Sequence, residues 1–314
     1  MKSKKSNTKS FDFKKLAPLS LLTLVILLVV AVSLKAQTNP PALTLHPTNI
    51  DVNLEPGSPS QGILYLRNTT RNTLNIQTSL RNFTAQGEEG GVTLTNEDTP
   101  YSLAKWITIT PSKVTIPSGQ EVAFRYSITP PTNAEPGGHF GSIVFATVPG
   151  KGVNGSSGST ISEEIAALFL GTVPGPVNEN ASIVSFAPQK SFYEFGPVNF
   201  DLRVKDSGGV HIRPAGVVTV TSMFGQKSVF GFEGEDVLPG AIRNMPITFD
   251  KTWLIGKYTV GLALAYGSKN TQLYADTSFI AFPWKIGVAI FVVILLFFFM
   301  RKRIWKAIKV IAKG

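Results

Sequence analysis

Cysteine is absent from all 314 residues, so no disulfide framework can hold this chain together and its stability must come from packed apolar cores. Histidine is nearly absent as well: His46, His139 and His211 are the whole supply. With no Cys-X-X-Cys and no His-X-X-X-His pair, the usual zinc frameworks are excluded, and a Ser/His/Asp set would have to draw on one of three scattered imidazoles. Also missing, between the hydrophobic ends, is any amphipathic pattern at helical spacing. Positive charge is lacking where a nucleic-acid surface would need it. The net charge is +10, but residues 1–15, Lys35 and the stretch from Lys285 to Gly314 hold more than all of it, leaving residues 36–284 at −3. That distribution reads as membrane topology and leaves no case for a DNA or RNA partner.

The two ends carry the long apolar runs. Near the C-terminus, Trp284-Lys285 precedes the unbroken run Ile286 to Met300, and Arg301-Lys302-Arg303 closes it. With Lys285 bending its ammonium toward the headgroups, residues 283–300 suffice for a transmembrane helix across about 30 Å of hydrocarbon. The three cations belong on the cytoplasmic side and Trp284 at the opposite interface, which places everything before Phe282 outside. At the N-terminus six lysines within residues 1–15 precede the apolar segment Leu16–Leu34. Residues 1–36 therefore read as an export signal, either cleaved near Ala31-Val32-Ser33 or retained as a signal anchor, which would make the chain two-pass. The tail 301–314, with Ile304, Ile308 and Ile311 at helical spacing, is either an amphipathic helix on an anionic inner leaflet or a plain stop-transfer flank.

Between these ends period-two alternation dominates. Ile50, Val52 and Leu54 alternate with polar residues, as do Leu74, Ile76, Thr78 and Leu80, and Val122, Phe124, Tyr126 and Ile128. Turn signals punctuate them at Pro56-Gly57-Ser58, Gln86 to Gly91, Pro117-Ser118-Gly119 and Pro136-Gly137-Gly138. Short strands at this spacing predict an all-β chain of two immunoglobulin-like antiparallel sandwiches. The first covers 37–174, with Ile143-Val144-Phe145 in a central strand covered on both faces and 151–160 as a mobile hairpin loop. The second, at 175–282, is membrane-proximal, with Val198 to Val204 and Tyr258 to Tyr266 as alternating strands and only Pro283 and Trp284 before Lys285.

Two groups of residues resemble a known family. Trp106-Ile107-Thr108-Ile109-Thr110-Pro111, Val114 to Gly119, Ile128-Thr129-Pro130-Pro131 and Pro136-Gly137-Gly138-His139-Phe140-Gly141-Ser142-Ile143 resemble the first extracellular domain of bacterial WxL-interacting cell-surface proteins. Val210-His211-Ile212-Arg213-Pro214-Ala215-Gly216, Val237-Leu238-Pro239-Gly240 and Trp253 with Gly256 to Val260 look like the membrane-proximal domain of similar proteins. The resemblance implies an immunoglobulin-like domain implicated in peptidoglycan binding, set above a β domain and a C-terminal anchor.

Enzymatic chemistry finds little footing. Ser102-Leu103-Ala104-Lys105 matches the Ser-X-X-Lys of penicillin-binding enzymes, but no Ser-Asp-Asn or Lys-Thr-Gly accompanies it. Glu88-Glu89, Glu163-Glu164 and Glu235-Asp236 read as solvated loop charge. No catalytic, metal or cofactor residue is assigned. Four Asn-X-Ser/Thr sequons, at Asn68, Asn82, Asn154 and Asn180, are glycan acceptors only in a eukaryotic secretory route. The expected role is non-enzymatic binding or tethering at the membrane surface: membrane lipid at one end, and peptidoglycan or another envelope protein at the other. An alternative is a pilus-chaperone-like assembly factor for exported clients, suggested by the strand-turn-strand around Pro117-Ser118-Gly119. Ligand contacts are expected at sandwich-end loops: Gln86–Gly91, Lys151–Thr160 and above all Gly137, Gly138, His139, Phe140, Gly141 and Ser142, where bare backbone invites close approach.

Overall fold

A computed structural model of the chain describes residues 41–148 and 163–311, the last ten as backbone alone. The leader 1–36 and the loop 151–160 lie outside the described residues. The chain is all-β, built as two immunoglobulin-like sandwiches followed by one apolar helix.

The first sandwich uses ten strands. β1 (Leu43–His46), β3 (Ser60–Asn68), β8 (Glu121–Ile128) and β6 (Ile107–Thr110) form one sheet in the order β1-β3-β8-β6. The facing sheet runs β2 (Asn49–Asn53), β10 (Glu164–Val173), β9 (Gly137–Val148), β4 (Leu74–Gln86) and β5 (Gly91–Thr95), with β7 (Lys113–Ile116) also on β4. The first strand serves both sheets: after His46 the chain crosses at Pro47, and β2 then pairs parallel with β10. Alternation places Leu64, Leu66, Phe124 and Ile128 inward from one sheet to meet Ile76, Ile143, Phe145 and Phe169 from the other. Aromatic edges close the gap between sheets, Phe124 on Phe145 at 4.9 Å and Tyr126 on Phe169 at 4.8 Å.

The second sandwich packs a three-stranded sheet of β11 (Ala181–Pro188), β13 (Val198–Asp206) and β16 (Ile242–Phe249) on a five-stranded one. The latter runs β12 (Phe192–Tyr193), β18 (Thr271–Ala281), β17 (Gly256–Tyr266), β14 (Ala215–Ser222) and β15 (Lys227–Glu233). Every second residue of β17, from Tyr258 to Tyr266, is buried against Val198, Phe200, Leu202 and Val204 of β13. Tyr258 stacks on Phe279 at 5.0 Å, and the Tyr266 hydroxyl accepts the Ala181 N–H at 3.0 Å.

Helix α1 (Trp284–Ile311) starts three residues beyond Ala281. Its window Trp284–Arg301 has a mean hydropathy of 2.2 and buries nothing against the sandwiches. The helix continues unbroken through residues 301–311, which the sequence suggested as a separate tail.

Candidate functional site

The six residues from Gly137 to Ser142 do not form a loop. They are the first half of β9, and all six are buried. The reason is two-sided cover. Ile143 and Phe145 serve the first core, while the segment before them runs beneath the second sandwich. Gly137 adopts φ +132, and the Gly138 N–H donates to the Gly209 carbonyl at 2.8 Å. Gly141 lies under Leu103 and Ala104, with no room for a Cβ. Phe140 packs with Phe83 and Leu170, ring to ring with His211 at 5.8 Å. The His139 ring sits 4.4 Å from Trp106, with Nε2 2.9 Å from the Glu135 carbonyl. None of the six presents a face to water.

The turn at Gln86–Gly91 is likewise occupied, and Glu88-Glu89 is not free loop charge. Glu88 accepts two hydrogen bonds from Arg203, at 2.6 and 2.5 Å, a fork-to-fork pair across 115 residues of chain. That bonding holds the Glu88 carboxyl below its usual range and raises the Arg203 guanidinium in turn. The Glu88 carbonyl also accepts the Asn244 N–H at 2.7 Å, and Glu89 Oε1 accepts from Asn244 Nδ2 at 3.2 Å. Together these contacts clasp the first sandwich to the second.

A third part of the clasp uses Asp51, His211, Arg213 and Asp236. Arg213 Nη2 donates to Asp51 Oδ2 at 2.9 Å and to Asp236 Oδ2 at 2.7 Å, while His211 Nε2 lies 3.4 Å from Asp51. Burial lowers the His211 pKa, against the pull of Asp236 and Asp51. The hydrogen bond to Asp236 leads the causes that raise Arg213. Asp51, His211 and Asp236 are the one trio among the described residues spaced as metal ligands could be. The guanidinium already bridging both carboxylates supplies the compensating charge, so the trio reads as part of the clasp. Gly209, His211, Arg213 and Leu238 of the second sandwich thus lie along the junction.

Two sequons are similarly consumed. Asn68 is fully buried and donates through Nδ2 to the carbonyls of Asn72, Ile116 and Pro117. Asn82 Oδ1 accepts the N–H groups of Leu103 and Ala104 that open a single 3-10 turn. The Ser102/Lys105 pair sits at that turn, Ser102 bonded to Thr99 and Lys105 ion-paired with Asp98.

Among the described residues, one sheet edge stays open. β2 covers β10 only from Leu168 to Thr172, because the chain leaves for the other sheet at Pro47. Leu168 donates its N–H outward, to the Thr48 carbonyl at 2.7 Å. Backbone direction repeats every second residue, so Ala166 and Glu164 also aim N–H and C=O outward, past the end of β2. No described strand pairs with them there, although β1 passes close to β10. On its other side the same stretch is fully paired with β9, Glu164 opposite Ala146 and Ala167 opposite Ile143. Sequence gave one hint of this edge: Ile165 to Val173 reads as an apolar strand directly after a glycine- and serine-rich segment.

No described protein family and no curated protein matches the chain. Among solved structures, the class 5 fimbriae chaperone CfaA aligns at 12% identity with a TM-score of 0.39, over 76% of this chain and 99% of its own. The SafB chaperone in complex with the Salmonella enterica SafA pilin aligns at 14% identity and 0.38, over 76% and 98%. The CsuC–CsuE chaperone and tip subunit complex of Acinetobacter baumannii gives 12% and 0.36, over 76% and 98%. Likeness this distant says nothing of what the present chain binds.

Proposed function

We propose that the chain is a non-enzymatic, membrane-anchored docking protein that holds an exported envelope protein by strand addition to the open half of β10. The observation carrying this reading is the edge at Glu164–Ala167, where backbone donors and acceptors face outward beyond β2. An extended segment laid there would gain main-chain hydrogen bonds, with the side-chain rows of β10 selecting its sequence. Helix α1, apolar and uncovered over Trp284–Arg301, would fix the sandwiches at the bilayer. The clasp would set the edge at a constant orientation to that anchor. The resemblance to WxL-interacting proteins supports the same topology and names cell-wall glycan as the alternative ligand.

Ala166→Pro isolates the edge. Proline there removes an outward N–H and leaves the ladder to β9 intact, as edge strands permit. With a photocrosslinking residue at Glu164 of the full-length protein in cells, one discrete protein adduct is expected, lost in the Ala166→Pro background. An adduct unchanged by Ala166→Pro would refute strand addition. Recovery with isolated wall polymer, indifferent to the substitution, would favour the glycan reading.

A further inference from the structure

We infer that the helix-bearing end of the second sandwich is itself a lipid-binding surface, inserted in the outer interface of the bilayer that α1 spans. This rests on reading α1 as the membrane anchor. The second sandwich has two ends, and one is taken up by the clasp. At the other, four segments finish together. Ala281 pairs with Gly256, so the start of β17 lies level with the last residue of β18. Ser222, the last residue of β14, pairs with Tyr258, and the Met223 N–H donates to the Lys257 carbonyl. Phe192 pairs with Ile280, and the Phe282 N–H donates to the Tyr193 carbonyl. The turn after β14, the loop before β17, the short β12 and the junction with α1 therefore share one level.

That level is apolar and uncovered. Phe224, at the tip of the turn, is 69% exposed, with Met223 beside it over Gly256. In the loop before β17, Leu254 is buried in the core, and alternation turns its neighbours Trp253 (62% exposed) and Ile255 outward. Phe195 meets the Trp253 ring edge-on at 5.4 Å, holding it in that posture. Phe282 and Trp284 continue the patch onto the helix. A soluble domain rarely leaves such a group in water. Aromatic rings beside a spanning helix suit the headgroup boundary, where their bodies meet acyl chain and their polar edges meet water.

Charge agrees with a lipid occupant. Lys190, Lys227 and Lys257 are exposed around this end, and Lys251 is half-exposed beside them. Of the acidic groups there, Glu194 is engaged by Lys285 at 2.8 Å, and Asp250 is exposed. The surplus cations suit phosphate headgroups, most of all anionic ones.

The absence of cysteine gives a direct test. Single variants Phe224→Cys, Ile255→Cys, Ser118→Cys and Val293→Cys of the full-length chain are labelled with an environment-sensitive fluorophore. They are then reconstituted in phosphatidylcholine/phosphatidylglycerol nanodiscs. The labels at 224 and 255 should emit to the blue of the label at 118, resist aqueous iodide and be quenched by nitroxide lipid. If both behave like 118 while 293 reports hydrocarbon, the anchor stands and the inserted end is wrong. An aqueous signal at 293 would overturn the anchor reading, and this inference with it.

Discussion

Phe140 is where the packing of the two sandwiches meets, and replacing it with alanine tests that junction. The residue is 3% exposed and packs with Phe83 at 5.9 Å, Tyr101 at 6.2 Å and, from the second sandwich, His211 at 5.8 Å. An aromatic ring hiding about 150 Å² at about 25 cal/mol per Å² contributes about 4 kcal/mol. That agrees with the roughly 3–5 kcal/mol lost when buried phenylalanines become alanine. Because the ring faces both sandwiches, Phe140→Ala should do more than lower the midpoint of a urea titration of the full-length protein in detergent micelles. It should weaken the coupling and separate one transition into two, each with a smaller slope than the parent. Phe140→Leu, which keeps most of the volume, should lose much less and stay cooperative. A loss under about 1 kcal/mol with an undivided transition would refute this account of the junction.

Gly137→Ala should be destabilising by about 1–3 kcal/mol in the same assay. Its φ of +132 suits only glycine, and a Cβ would stand 2.9 Å from the Gly209 carbonyl that bonds the next residue. Asp206 predicts a pH effect of unusual sign. Burial pushes its pKa up to about 6 from 3.8, with the Gly208 N–H pulling back. The folded chain therefore takes up this proton before the unfolded one does as pH falls, and the penalty of a buried charge is relieved between about pH 6 and 4. Asp206→Asn keeps an acceptor for Gly208, so the variant should be more stable than the parent at pH 7.5. The difference should shrink by pH 5, as measured by melting at each pH. A constant difference would contradict the buried-charge account.

The core was legible in the sequence because alternation is a local signal: Val122 to Ile128 and Tyr258 to Tyr266 face as their spacing requires. The central strand through Ile143-Val144-Phe145 was legible for the same reason, as a run without polar faces. Long-range polar pairing was not. Glu88 and Glu89 sit in a glycine-rich turn, which reads as solvated charge, while their partners Arg203 and Asn244 sit on strands far along the chain. Nor could Gly137-Gly138 be told from an exposed turn, since glycine serves close backbone approach and reversal alike. The open edge of β10 depends on where β2 stops, which is a matter of topology and leaves no mark in composition.

The passage from β18 into α1 has a mechanical consequence. Only Phe282 and Pro283 lie between the last strand residue and the helix, and β18 is paired with β17 along eleven consecutive positions. Tension applied through α1 and drawn along β18 would load those rungs together in shear rather than peel them one after another. Built this way, the joint resists pulling with the strength of a whole sheet.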